Sequence, residues 1–111
     1  MWTLGIESTA HTLSFGLVDK NGIPFPSSSA TIRPEKGGIH PREAADHHKD
    51  CAAGLLAKLL NDNSLSAEDI SAVAYSQGPG LGPCLRIGAA IARGLSSKLD
   101  TTLTHCPSFL I

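Results

Sequence analysis

The stretch Ser76-Gln77-Gly78-Pro79-Gly80-Leu81-Gly82-Pro83-Cys84-Leu85-Arg86 constrains this chain more than any other. Ahead of it, Ile70 to Tyr75 reads as a short buried strand. Behind it, Pro83 to about Lys98 reads as a helix, with proline in the first turn, where its missing N–H costs nothing. A strand that turns through glycines straight into a helix commits the chain to an α/β fold. Glycine allows a close approach of backbone. Two readings of the loop stay open on residues alone. It is a close-packed turn, or its free N–H groups and the helix dipole attract an anion. It is not a P-loop, since no Gly-Lys-Ser/Thr follows, and Pro83 stands where a dinucleotide fingerprint needs its third small residue.

The rest of the chain fits around this unit. Thr3 to Glu7 starts a strand, and Ser8-Thr9-Ala10-His11 is a polar turn. Thr12 to Asp19 alternates, with Leu13, Phe15 and Leu17 on one face, the period of a half-buried strand. Asp19-Lys20-Asn21-Gly22 is a hairpin turn. Residues 23–32 form a weaker third strand that Pro24 and Pro26 push toward an edge. Pro41 opens an amphipathic helix on which Ala44, His48, Cys51, Ala52, Leu55, Leu56 and Leu59 share a face. It ends at Asn61 to Ser64, and Ser66 to Asp69 caps a single turn before the strand at 70–75. Thr101 to Thr104 is a short last strand. The order is βββαβαβ. Gly5 and Gly16 lie inside strands, which marks a bulge or a close approach.

At 111 residues the chain holds one domain. Its 41% hydrophobic and 17% charged residues place it among globular chains, not disordered ones. A net charge of −1 gives no electrostatic case for nucleic acid held by this segment alone. No apolar run approaches a membrane span, and the first residues lack the basic and apolar regions of a signal peptide. Cys51, Cys84 and Cys106 are odd in number and irregular in spacing, which argues against a disulfide framework and for a reducing cytoplasm.

Two groups of residues invite chemistry. Glu7, Ser8, Thr9, His11 and Thr12 put a carboxylate, three hydroxyls and an imidazole on one turn, suited to phosphates or to water around a bound metal. The plainer reading is a set of turn formers that bond their own backbone. His11, His40, His47, His48, Cys51, His105 and Cys106 raise the question of a metal. His47 and Cys51 share a helix face, but two ligands are fewer than zinc requires. His48 falls on the apolar face and reads as a satisfied core or interface histidine, while His47 reads as a solvated edge. A thiol at a helix start, as at Cys84, is placed for a lowered pKa, but no base is paired with it to make a nucleophile.

Three blocks carry a family resemblance. Leu4-Gly5-Ile6-Glu7-Ser8-Thr9-Ala10-His11-Thr12, then Gly37-Gly38-Ile39-His40-Pro41-Arg42-Glu43-Ala44-Ala45-Asp46-His47-His48, then Ser76 to Pro83 with Leu85-Arg86 occur in collinear order. Together they resemble the archaeal and eukaryotic tRNA threonylcarbamoyltransferases, the glycoprotease-like (M22 peptidase-like) family, from about Leu4 to Lys98. The resemblance implies an actin-like, Hsp70-like and sugar-kinase-like ATPase lobe, with residues 1–98 as the first lobe and 99–111 as a divergent or truncated tail. It implies transfer of threonylcarbamoyl from its adenylate to N6 of adenosine 37 of tRNA, in a cleft between two lobes. Glu7, Ser8, Thr9, His11 and Thr12 would then face the nucleotide, ATP or the adenylate. It also implies an iron or zinc ion on a His-x-x-x-His block and a downstream aspartate, and KEOPS-type kinase and small dimerisation subunits as partners.

The end of the chain departs from the family. The strand is shortened to 101–104, His105 matches the first metal histidine, and Phe109 takes the place of the second. With no second lobe after Ile111, the expectation is a fragment without catalysis of its own that holds no metal or nucleotide alone. A non-catalytic lobe that docks partner subunits is the alternative. A small-molecule kinase of the same superfamily is a third reading, against which the Gly-Gly-Ile-His-Pro block argues.

Overall fold

A computed structural model describes residues 2–24, 27–32, 38 and 40–107, the side chains of 105–107 excepted. The elements are β1 (Trp2–Glu7), β2 (Thr12–Asp19), β3 (Ser28–Thr31), α1 (Pro41–Asp62), a 3-10 turn (Ala67–Asp69), β4 (Ile70–Gly78), α2 (Gly82–Leu99) and β5 (Thr102–Pro107). The βββαβαβ order is therefore the one the sequence predicts.

The five strands make one sheet in the order β3-β2-β1-β4-β5. β1, β2 and β3 form an antiparallel meander. β4 enters beside β1 and runs parallel to it, and β5 runs parallel to β4. A parallel neighbour needs a crossover, and α1 and α2 supply the two.

Both helices lie on the same face of the sheet. The alternation of β1 and β2 turns Leu4, Ile6, Leu13, Phe15 and Leu17 toward them, and Val73 and Tyr75 of β4 join this layer. Ala52, Leu55, Leu56 and Leu60 of α1 and Ala89, Ile91 and Leu95 of α2 close over it. Ala44, Ala45 and Cys84 make a second, smaller cluster where the first turns of the two helices meet.

Three local expectations change. The third strand is confined to Ser28–Thr31, because Pro24 makes only an isolated bridge to Val18 and cannot donate to a ladder. Gly5 and Gly16 make no bulge between β1 and β2, and Gly16 makes no tight contact. They pair directly across β1 and β2 in regular register, and the space beyond Gly16 is open. The last strand is not shortened at residue 104. It continues to Pro107, because β4 itself runs on to Gly78 and offers paired backbone that far. The described part of the tail thus belongs to the same sheet as the lobe.

Candidate functional site

β1, β4 and β5 are parallel, so their carboxyl ends share one end of the sheet. In open α/β sheets ligands bind outside this end. The turn from β1 to β2, residues 8–11, stands here with the 79–81 loop beside it. Register also sets the backbone of His105 opposite Tyr75, which lies opposite Ile6. The second position of the family's histidine block, Phe109, lies outside the described residues.

The five candidates of the turn divide by environment. Ser8 is fully buried. Its N–H donates to Ser76 Oγ at 3.2 Å and its hydroxyl to Cys84 O at 3.0 Å, so it ties the turn to β4 and to the start of α2. Glu7 and Thr9 are half-buried. Glu7 Oε1 accepts the Thr9 N–H at 2.9 Å and also the Thr9 hydroxyl, which closes the turn locally. His11 is exposed, and its carbonyl accepts the Ile32 N–H at 2.8 Å. Thr12 Oγ1 lies 2.8 Å from Thr31 Oγ1 on β3. Glu7, Thr9, His11 and Thr12 thus form a rim, and Ser8 is the anchor beneath it.

The glycine loop closes against this turn. The Leu81 N–H donates to Thr9 O at 2.6 Å. A β-carbon on Gly80 would stand 2.5 Å from that same oxygen, and one on Gly88 of α2 would fall on Ser8 Oγ and 3.2 Å from Ser8 Cβ. These two glycines let backbone and turn approach. The structure therefore displays the loop as a close-packed turn. The Gly78–Pro79 peptide bond in it is cis.

Two histidines of α1 complete the arrangement. His48 is fully buried, with Nε2 at 2.7 Å from Ala10 O in the turn. Its Nδ1 lies 3.0 Å from Nδ1 of His47, which is half-buried and not the solvated edge expected of it. Burial holds the pKa of His48 below the ordinary histidine value, against the pull of the Ala10 carbonyl. The neighbouring His47 and His11 lower it further, and Glu7 opposes them.

Cys84 is buried, and desolvation raises its thiol pKa where the helix start had suggested a lowered one. That leaves it a packing residue. No group of three or more His, Cys, Asp or Glu among the described residues is placed to hold a metal ion. No helix among them is long and apolar enough to cross a membrane.

The sequence pointed to the turn but missed its supports. The His48–Ala10 contact and the anchoring of Ser8 join residues far apart in the chain. Two signals stood in the sequence, a histidine on the apolar stripe of α1 and the small Gly88 on the buried face of α2.

Residues 25–109 match the family model described as tRNA N6-adenosine threonylcarbamoyltransferase. A curated relative of that name from Ignicoccus hospitalis is 50% identical over 103 residues, which cover 93% of this chain and 31% of the relative. Among solved structures, YeaZ from Pseudomonas aeruginosa superposes with a TM-score of 0.75 at 18% identity, over 96% of this chain and 42% of that one. The Lmo2764 protein of Listeria monocytogenes, proposed to be an N-acetylmannosamine kinase, superposes with a TM-score of 0.53 at 17% identity, over 95% and 34%. At such identities the likeness concerns the fold alone. The sheet and its two helices are a lobe of the actin-like, Hsp70-like and sugar-kinase-like architecture, and the chain spans about a third of the length of the curated relatives it matches.

Proposed function

The chain belongs to the tRNA N6-adenosine threonylcarbamoyltransferase family, and we propose that it supplies the first lobe of such an enzyme. The observation that carries this reading is the position of the first family block. It forms the turn at the carboxyl end of β1, the end where this kind of sheet takes ligands. In the reaction, N6 of adenosine 37 of the tRNA attacks the carbonyl carbon of the threonylcarbamoyl group. The bond to the adenylate phosphate breaks, AMP leaves, and N6 gives up a proton.

The rim groups have separate tasks in this reading. The Glu7 carboxylate accepts hydrogen bonds from hydroxyl donors such as those of a ribose. The Thr12 hydroxyl and the His11 imidazole meet phosphate oxygens or ordered water, while the Thr9 hydroxyl, its hydrogen given to Glu7, accepts from ordered water. Ser8 holds the rim at its height without touching the ligand. These groups bind and orient. The other wall of the cleft belongs to the remainder of the enzyme.

The metal of the family does not fit the residues of this chain. His105 is a single donor, and Phe109 offers none where the pattern has its second histidine. Iron or zinc needs three or four ligands. No step here is routed through a metal.

Given the charge of −1, the tRNA is gripped elsewhere, by the rest of the enzyme or by KEOPS-type kinase and small dimerisation subunits. The outer surfaces of α1 and α2 are open to such partners, in a cytoplasmic setting. A second reading is a lobe that docks partners without catalysis. Recovery of those subunits by a pull-down, with no ATP binding by the chain, would support it.

The purified chain, incubated with an ANN-decoding tRNA transcript and threonylcarbamoyl-adenylate, is expected to form no modified adenosine above the enzyme-free background. Nucleoside mass spectrometry reads the result. Turnover comparable to that of a full-length family member would contradict the half-cleft reading.

A further inference from the structure

We propose that His47 and His48 of α1 form a proton-counting clamp on the 8–11 turn, one that holds with no or one added proton and opens with two. The geometry fixes the hydrogens. The Ala10 carbonyl can only accept, so His48 Nε2, 2.7 Å away, carries a hydrogen. Neutral His48 then has a bare Nδ1, and His47 Nδ1, at 3.0 Å, must donate to it.

A first added proton breaks nothing. It rests on the outer ring of His47, whose Nδ1–H goes on donating. A second proton has nowhere to go but the face between the rings. There it sets N–H against N–H and two charges side by side, one of them wholly buried. The buried ring must then move, and Ala10 is released.

Among the described residues, the titratable groups facing His48 are His47 on its own helix, His11 in the turn and Glu7 at the end of β1; β3 brings none. Two of the three are histidines, and both lower the pKa of His48. The depressed pKa of His48 agrees with the cost of placing a proton between the rings. Since His48 titrates below its unfolded value, its contribution is complete above the ordinary 6.5 and falls away as the pH drops below it.

Made functional, this is a turn whose rim is set by protons, which rests on the reading that the rim faces the nucleotide. The clamp itself is measured without nucleotide. Nitrogen NMR of the histidine-labelled chain at pH 7.5 is expected to show His48 with hydrogen on Nε2 and none on Nδ1. With His11→Gln as the background, so that no ring titrates in the turn itself, the amides of Ala10 and Ile32 should hold still through the first protonation of the pair as the pH is lowered and move with the second. In His48→Gln, whose amide N–H still reaches for Ala10, and in His47→Gln, whose amide can flip to accept or donate, these amides should stay flat in acid. In His48→Ala the Ile32 amide should exchange roughly tenfold faster than in the unmodified chain at pH 7.5, the loss of about one hydrogen bond, and no faster than in that chain once acid has opened the clamp.

A hydrogen on His48 Nδ1 in place of Nε2, or turn amides that still move in the same acid range in both glutamine variants, would overturn the clamp. Should His48→Ala fail to fold, the glutamine variants carry the test. Absence of ATP binding in a chain whose clamp behaves as described would count against the nucleotide reading and leave the clamp standing.

Discussion

Gly88→Ala is expected to destabilise the chain by roughly 2–4 kcal/mol, while Gly94→Ala on the same helix stabilises it by up to about 1 kcal/mol. The two sites share a helix and the same substitution, so propensity favours alanine equally at both. They differ in what lies outside. Beyond Gly94 is open space. Beyond Gly88 is the Ser8 side chain, whose hydroxyl sits where the new methyl would go. Ser8 has no room to yield, since its N–H and its hydroxyl are both engaged and the residue is sealed from water. Either α2 moves off the sheet or Ser8 turns away and leaves Cys84 O buried without its donor. Each costs more than the helix gains. In urea the Gly88 variant should lose on the order of 1–2 M from its midpoint. Equal shifts for the two variants would show that α2 does not approach β1 this closely.

Gly80→Ala is the second large effect, about 1–3 kcal/mol. The new carbon would meet three atoms of one residue, Thr9 O at 2.5 Å, Cβ at 2.8 Å and Cα at 2.9 Å. Two of these are backbone, which cannot rotate aside. The 79–81 loop must lift from the turn, and the bond from Leu81 N–H to Thr9 O goes with it. For a chain of this size the melting temperature should fall by about 5–15 °C. The perturbation should concentrate in the amides of residues 8–12, which separates it from the helix displacement of Gly88→Ala. An unchanged melting temperature would mean that the loop stands away from the turn.

The two effects bear on what a sequence shows. Elements set by local periodicity were legible. The three- and four-residue steps from Ala44 to Leu59 gave α1, and the alternation of Leu13, Phe15 and Leu17 gave β2. Pro41 and Pro83 marked both helix starts, because proline suits the first turn and little of the interior. The extent of β5 was not legible. Thr102 to Pro107 has no alternation of its own and is a strand because β4 lies beside it.

The site divided in the same way. The polar turn was visible by residue type, since few stretches of this length hold a carboxylate, three hydroxyls and an imidazole. Which of these look outward was not visible. Ser8 differs from Thr9 only through contacts made by Ser76 and Cys84, far along the chain. His48 read correctly as a satisfied core histidine from its place on the apolar stripe, but its partner Ala10 comes from tertiary geometry, and the ring contact with its neighbour His47 depends on side-chain orientations that residue types do not show.

A chimera decides whether this lobe carries a working wall of the cleft. Residues 2–99 of this chain would replace the matching segment of the Ignicoccus hospitalis relative, so that the second lobe and any metal ligands come from that protein. Threonylcarbamoyl transfer to an ANN-decoding tRNA is expected within about tenfold of the parent, with loss on Glu7→Ala. A folded chimera that binds its partners and tRNA but transfers nothing would contradict that expectation, and this chain would then be a lobe without a catalytic face.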